Sequence, residues 1–190
     1  MKTVGIYVLL SILLSACSNQ APNIKQYYRL KADFESSEIN STADDKRTTV
    51  LISRPKTLGI LGGRPMVATK SDGALVQLNN HYWLESPTVL LHNNLVNWAE
   101  NHWQNVTMNA AFDARLDRLD TTLLAFEKDG QQAKVSIQFV LHDSQGSELL
   151  NQTWQQNQTI NGDSYAEFVS SINQAVSHIL LELSRAIKQL

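Results

Sequence analysis

Few residues of this 190-residue chain could carry chemistry, and Cys17, its single cysteine, stands apart from the rest. It follows Leu14-Ser15-Ala16 directly, at the end of an apolar run from Val4 to Leu14 that begins just past Lys2. A positive start, a short apolar stretch and small residues at the cut make a secretory signal. A cysteine immediately after the cut suits acylation: its thiolate takes a diacylglyceryl group and its freed amine is then acylated. A membrane-spanning anchor fails on length, because the helix from Val4 to Leu14 reaches roughly 16 Å against about 30 Å of hydrocarbon core. The sequence therefore predicts a signal over 1–16, lipidation at Cys17, a polar tether over 17–26 and one domain over 27–190. Three acyl chains exceed the two signals that stable anchoring takes, so the protein is expected to be tethered, not spanning.

The other candidate groups do not converge. His92 and His102 lie ten residues apart, which turns them roughly 80° from each other on a helix, and His81, His142 and His178 stand among amides, acids and apolar residues. No zinc-protease, nucleophile-elbow or phosphate-loop pattern occurs. Asp113, Asp117 and Asp120 could be a carboxylate cluster, but Arg115 and Arg118 lie between them, so a solvated, charge-balanced face is expected. The stretch Gly59 to Pro65 lacks phosphate-loop spacing and reads as a connector. Trp83, Trp98, Trp103 and Trp154 read as core residues, with contact to acyl chains or a partner as the alternative. No catalytic residue, metal site or cofactor is expected.

Composition narrows the class further. Sixteen Lys and Arg against 18 Asp and Glu give a net charge of −2, one unit more negative once Lys2 is removed. A mildly acidic chain without a basic block has no electrostatic reason to seek nucleic acid. With Cys17 acylated, no disulfide is available, and the domain must stand on its core.

The elements that must hold these residues follow from periodicity and turn chemistry. Tyr27 to Leu30 and Thr49 to Ser53 read as strands. Pro65 to Thr69 and Ala74 to Leu78 read as a hairpin about Ser71-Asp72-Gly73. Ser86 as N-cap and Pro87 as first residue open a helix, with Leu91, Leu95, Trp98 and His102 on one stripe, ending near Asn105. Alternation of Val135, Ile137, Phe139 and Leu141 marks a strand in an antiparallel meander over 109–160, with a β-bulge expected between Leu116 and Leu119. Ser164 and Glu167 form a capping box ahead of a helix whose rows Tyr165, Ile172, Ile179, Ala186 and Val169, Val176, Leu183, Leu190 make a wide apolar stripe. On that stripe Ile179→Asp should be severely destabilising, while Asp at Ser177 should be tolerated. The fold class is α+β: an antiparallel-rich mixed sheet packed on two long helices.

Several segments in order resemble the ABC-type transport auxiliary lipoproteins: Tyr27-Tyr28-Arg29-Leu30 soon after the lipidated cysteine, Arg64-Pro65-Met66-Val67, Asn79-Asn80-His81-Tyr82-Trp83 followed by Ser86-Pro87 opening a helix, and the terminal helix. The resemblance makes Tyr28, Leu30, Arg64, Pro65, Trp83, Ser86 and Pro87 the motif residues and brings no catalytic residue with it. It implies a periplasmic, outer-membrane lipoprotein that works with an MCE-domain tunnel protein and its inner-membrane partner in moving lipids between membranes. A homo-oligomeric ring is compatible with that role. Ser18, where enteric bacteria place a retaining aspartate, favours outer-membrane sorting. Two other classes stand beside this one: a pilotin-like assembly lipoprotein whose sheet edge takes a client segment, and a periplasmic hydrolase, which the missing nucleophile–base pattern opposes.

Overall fold

The computed structural model describes residues 24–33, 47–109 and 116–190. The first strands are β1 (Gln26–Tyr28), β2 (Arg47–Ile52) and β3 (Lys56–Thr57). A 3-10 turn over Gly59–Gly62 leads into the hairpin of β4 (Pro65–Thr69) and β5 (Leu75–Trp83). Helix α1 (Pro87–Ala99) and β6 (Trp103–Thr107) follow, then β7 (Asp117–Asp129), β8 (Gln132–His142), β9 (Glu148–Thr159) and helix α2 (Tyr165–Ile187). All nine described strands join one sheet, so the domain is α+β with two helices.

Strand β7 is the spine of that sheet. Along one side it pairs antiparallel with β8, which pairs antiparallel with β9, as the alternation and the turns at Gly130 and Gly146 predict. Along the other side three short strands take successive parts of it in parallel: β2 at Val50↔Asp117, β3 at Lys56↔Thr122 and β4 at Val67↔Glu127. Two more parallel pairs, β1 with β5 and β2 with β6, extend the sheet outward. The sheet is therefore mixed, and its centre is largely parallel. The expected antiparallel bias holds for the meander and the β4–β5 hairpin but not for the strands gathered on β7.

Both helices lie against this sheet, and their apolar stripes fill the core. Helix α2 packs mainly on β8 and β9, burying Phe168, Ile172, Val176, Ile179 and Leu183 against Val135, Ile137 and Phe139 in one hydrophobic cluster. Its start is built as expected: Ser164 Oγ accepts from the Glu167 N–H at 3.3 Å, and Glu167 accepts from the Ser164 N–H at 3.0 Å. Gly162, at φ 134°, passes so close to the Glu167 carboxylate that a Cβ there would overlap it. The row ends early, since Leu190 lies past the helix and is exposed.

A buried polar knot ties the helices together. Trp98 Nε1 of α1 donates to Ser184 Oγ of α2 at 2.8 Å, Ser184 Oγ donates to Leu180 O at 2.9 Å, and His102 Nε2 lies 3.0 Å from the same hydroxyl. With its proton on Leu180, the hydroxyl has two lone pairs for the two ring N–H groups. Ser184→Ala should therefore destabilise by roughly 1–3 kcal/mol, because it leaves the Trp98 donor buried without an acceptor. A urea midpoint unchanged from wild type would show that the knot carries no net stability.

Three expectations change here. Helix α1 stops at Ala99, short of Asn105, because the Arg47 N–H donates to His102 O at 3.1 Å and β2 draws Trp103 onward into a parallel strand. The bulge lies between Leu123 and Ala125, with Leu124 turned out to solvent, while residues 110–115 fall outside the described chain. Asp117 is buried: its carboxylate accepts from Arg47 Nε at 2.6 Å and from Trp103 Nε1 at 3.0 Å. It is thus an internal strut, not part of a solvated face. Asp120 is surface-paired with Arg118 at 2.9 Å, and Asp113 and Arg115 lie outside the described residues.

Candidate functional site

Trp83 gathers Tyr28, Arg64 and Pro65 of the motif residues into one node. It ends β5 and is 1% exposed, with its indole against Phe126 at 5.0 Å and Phe168 at 6.4 Å. Tyr28 lies opposite it in parallel register, and the Leu84 N–H donates to Tyr28 O at 2.7 Å. From the other side the Trp83 N–H donates to Arg64 O at 2.8 Å, Arg64 Nε donates back to Trp83 O at 3.3 Å, and Pro65 pairs with Tyr82. Ser86 and Pro87 then turn the chain into α1. Ser86 occupies the N-cap position, but its hydroxyl meets Thr88 Oγ1 at 3.1 Å and makes no side-chain cap bond. Asn80, at φ 65°, bends β5 in its middle, a conformation asparagine tolerates better than most residues.

Leu30 is buried, and the segment around it forms a strap that sequence reading missed. The Lys31 N–H donates to Asn173 Oδ1 at 3.0 Å, the Ala32 N–H to Asn94 Oδ1 at 3.2 Å, and the Asp33 N–H to Ser177 Oγ at 3.1 Å. An extended backbone is thus laid across α1 and α2 by side-chain acceptors from both. Beside it runs a groove of about 420 Å³ between the strap and α1, lined by Arg29, Leu84, Asn93 and Asn97 among others. The only sequence signal was the set of amides on the outer side of the α1 stripe, which reads equally well as solvent-facing.

The outer face of the node is aromatic and cationic. Tyr27 and Tyr82 lie with ring centroids 5.5 Å apart, Arg64 sits 5.1 Å from the Tyr27 ring, and Lys25 sits 5.6 Å from the Tyr82 ring. On the inner face His81 stacks on Tyr165 of α2 at 3.4 Å. Of the tryptophans, Trp83, Trp98 and Trp103 are buried and Trp154 is half-buried. Among the described residues no three His, Cys, Asp or Glu side chains are grouped to hold a metal ion, and no helix is long and apolar enough to cross a membrane. Cys17 lies outside the described residues.

Titration of the node follows from burial. Burial lowers the pKa of His81 from its usual 6.5, and its Nδ1 is enclosed without a hydrogen-bond partner. Burial likewise lowers His92, with Arg54 adding to the shift and a backbone hydrogen bond at Ser53 opposing it. A histidine with a lowered folded pKa binds fewer protons than the unfolded chain, so stability is whole above the unfolded pKa and is lost as pH falls. Asp143 and Glu167 are also lowered, by backbone hydrogen bonds from Ser147 and Gln145 and from Ser164, but from starting values of 3.8 and 4.5. The histidines therefore own the window between about pH 7 and pH 5. The melting temperature should fall across it, and His81→Phe, which keeps the stack, should flatten that fall. An unchanged slope in His81→Phe would assign the effect elsewhere.

With the geometry in view, comparison with known proteins gives the class. The fold matches the crystal structure of an uncharacterized protein at a TM-score of 0.71 and 21% identity, over 86% of this chain and 99% of that one. Protein XCC0632 from Xanthomonas campestris, a DUF330 protein, matches at 0.71 and 15% identity, over 86% and 96%. A slighter likeness, to the PelC dodecamer of Paraburkholderia phytofirmans, has a TM-score of 0.39 and 12% identity over 70% and 87%. No curated protein matches the chain. The family model for the ABC-type transport auxiliary lipoprotein component matches residues 28–184, and the chain belongs to that family. The matched span takes in Tyr28, Trp83 and almost all of α2.

Proposed function

We propose that this protein is a lipid-anchored, non-enzymatic subunit of an MCE-type intermembrane lipid transport system, held by acylated Cys17 in the outer membrane and facing the periplasm. The observation that carries the reading is family membership across 28–184, joined to a signal and cysteine at the N-terminal side of the matched span. Within the family, the order of motifs is most like that of the paraquat-inducible C-type intermembrane transport lipoproteins. Its partners would be an MCE-domain tunnel protein and an inner-membrane component, and a homo-oligomeric ring is compatible with that role. Pull-down of the acylated protein from membranes tests this reading, which requires an MCE-domain protein among the co-purifying chains. An assembling envelope client in its place would support the pilotin-like reading. That alternative has one structural feature in its favour: β9, twelve residues long, pairs only with β8 among the described strands and leaves an open edge.

The anchor has its own test. Cys17→Ala should abolish acylation and outer-membrane retention while leaving the far-ultraviolet spectrum and melting transition of the domain unchanged, because the described residues that pack in the core begin at Tyr28, well past the anchor. Mass spectrometry of the wild type should show the chain beginning at a modified Cys17. Wild-type protein still carrying residues 1–16 would sink the lipoprotein assignment.

A further inference from the structure

We infer that the outer face of β1 and β5, formed by Lys25, Tyr27, Arg64 and Tyr82 and flanked by the exposed Ile24 just ahead of β1, is a membrane-contact surface that seats the domain on the anionic headgroups of the bilayer holding its anchor. The inference rests on the proposed acylation of Cys17 and adds to it an orientation: this face turned to the lipid, the rest of the sheet turned away.

Reach is the first argument. Ile24 lies two residues ahead of β1, and the seven residue-to-residue steps from Cys17 to Ile24 span about 25 Å at most. The strand bearing this face is therefore the folded element with the shortest connection to the anchor. Leu58 and Met108, also exposed, belong to segments far along the chain.

Composition is the second. Tyr27 is 50% exposed on a three-residue edge strand, and Ile24, two residues ahead of that strand, is 69% exposed, so an aromatic and an apolar side chain are left open at this end of the sheet. The Lys25 ammonium and Arg64 guanidinium lie against Tyr82 and Tyr27 at 5.6 and 5.1 Å. Tyrosines suit the interfacial layer because the ring is apolar and the hydroxyl wet, and basic side chains beside a membrane pair with anionic headgroups. The sign of the charge is consistent across the face: residues 24–32, 64–69 and 74–84 contain no Asp or Glu. A protein partner recognised by charge would need an acidic, aromatic-tolerant patch, whereas the bilayer is already within the length of the tether.

Hydroxyl-radical footprinting of the acylated protein tests the inference, read by mass spectrometry. The protein is placed in vesicles of phosphatidylethanolamine with a quarter phosphatidylglycerol, and in uncharged maltoside micelles for reference. Labelling of Ile24 and Tyr27 should fall at least threefold on the vesicles, with Leu58 and Met108 unchanged as internal controls. Each Lys or Arg near an anionic surface contributes roughly fivefold in partitioning, so Lys25→Glu should restore labelling to the micelle level. Lys70→Glu, the same charge change at the far end of the β4–β5 hairpin, should not. Equal labelling in vesicles and micelles, general protection that includes Met108, an equal response to both charge reversals, or protection that appears only when a partner protein is added would each overturn the proposal. Flotation of the vesicles reports the anchor separately. Protein that fails to float refutes the Cys17 reading and the orientation with it, whereas floating protein with an open Tyr27 refutes the orientation alone.

Discussion

Ile179→Asp should lower stability by about 3–5 kcal/mol at neutral pH, a large part of the roughly 5–15 kcal/mol that holds a domain folded. Ile179 is 0% exposed in the middle of α2, inside the cluster that joins α2 to the meander. Among the described residues no Lys or Arg is buried, so the carboxylate must either be buried without a partner or take up a proton. The second route gives a signature: the folded pKa of the new group is raised, so the defect should shrink as pH falls and deepen as it rises. Chemical denaturation at pH 5 and pH 8 measures both. The proper control is Gln174→Asp, on the exposed side of the same helix, expected to change stability by less than about 0.5 kcal/mol. Ser177, the control that periodicity suggests, is unsuitable, because its hydroxyl accepts the Asp33 N–H and donates to Asn173 O at 2.9 Å. A carboxylate there would meet Asp33 across the strap. If Ile179→Asp and Gln174→Asp melted alike, α2 would not be facing a core.

Trp83→Ala should cost about 3–5 kcal/mol, the range for deleting a large aromatic side chain from a packed interior. The void would open between β5, Phe126 of β7 and Phe168 of α2, where three elements meet and none can collapse without moving the others. A local consequence should accompany the global one. Leu84 donates its N–H to Tyr28 O, and Trp83 is the register partner of Tyr28, so amide exchange at Leu84 should accelerate beyond what the lost stability explains. Trp83→Phe keeps an aromatic ring in the gap and should recover most of the loss. A Trp83→Ala protein that melts within a degree or two of wild type would remove Trp83 from the core and undo the account of why the motif residues cluster.

Such a clustering was only half legible before the fold was known. Tyr28, Arg64, Pro65, Trp83, Ser86 and Pro87 could be picked out as motif residues, since each stands in a recognisable local pattern. That Tyr28 and Arg64 meet the backbone on the two sides of Trp83 depends on strand pairing, with β1 laid in parallel on β5 between residues more than fifty positions apart. The strap on Asn94, Asn173 and Ser177 left only an ambiguous mark in the sequence, because an amide that will accept a distant N–H looks the same as one that meets water.

What the sequence by itself determined are the features set within a few residues: the capping box at Ser164 and Glu167, Pro87 at the start of α1, the turn at Asp72-Gly73 between β4 and β5, and the alternation of β8. In each, the interacting groups are near neighbours, and their spacing alone decides whether a hydrogen bond closes or one face is apolar. Tertiary structure decided where α1 ends, which part of β7 takes β2, β3 or β4, where the bulge falls, and that Asp117 is enclosed by Arg47 and Trp103. Those outcomes turn on pairings between strands far apart in the chain, where His102 and Trp103 gain more from joining β2 than from another turn of helix, and a carboxylate tolerates burial because a guanidinium and an indole N–H reach it from two other strands.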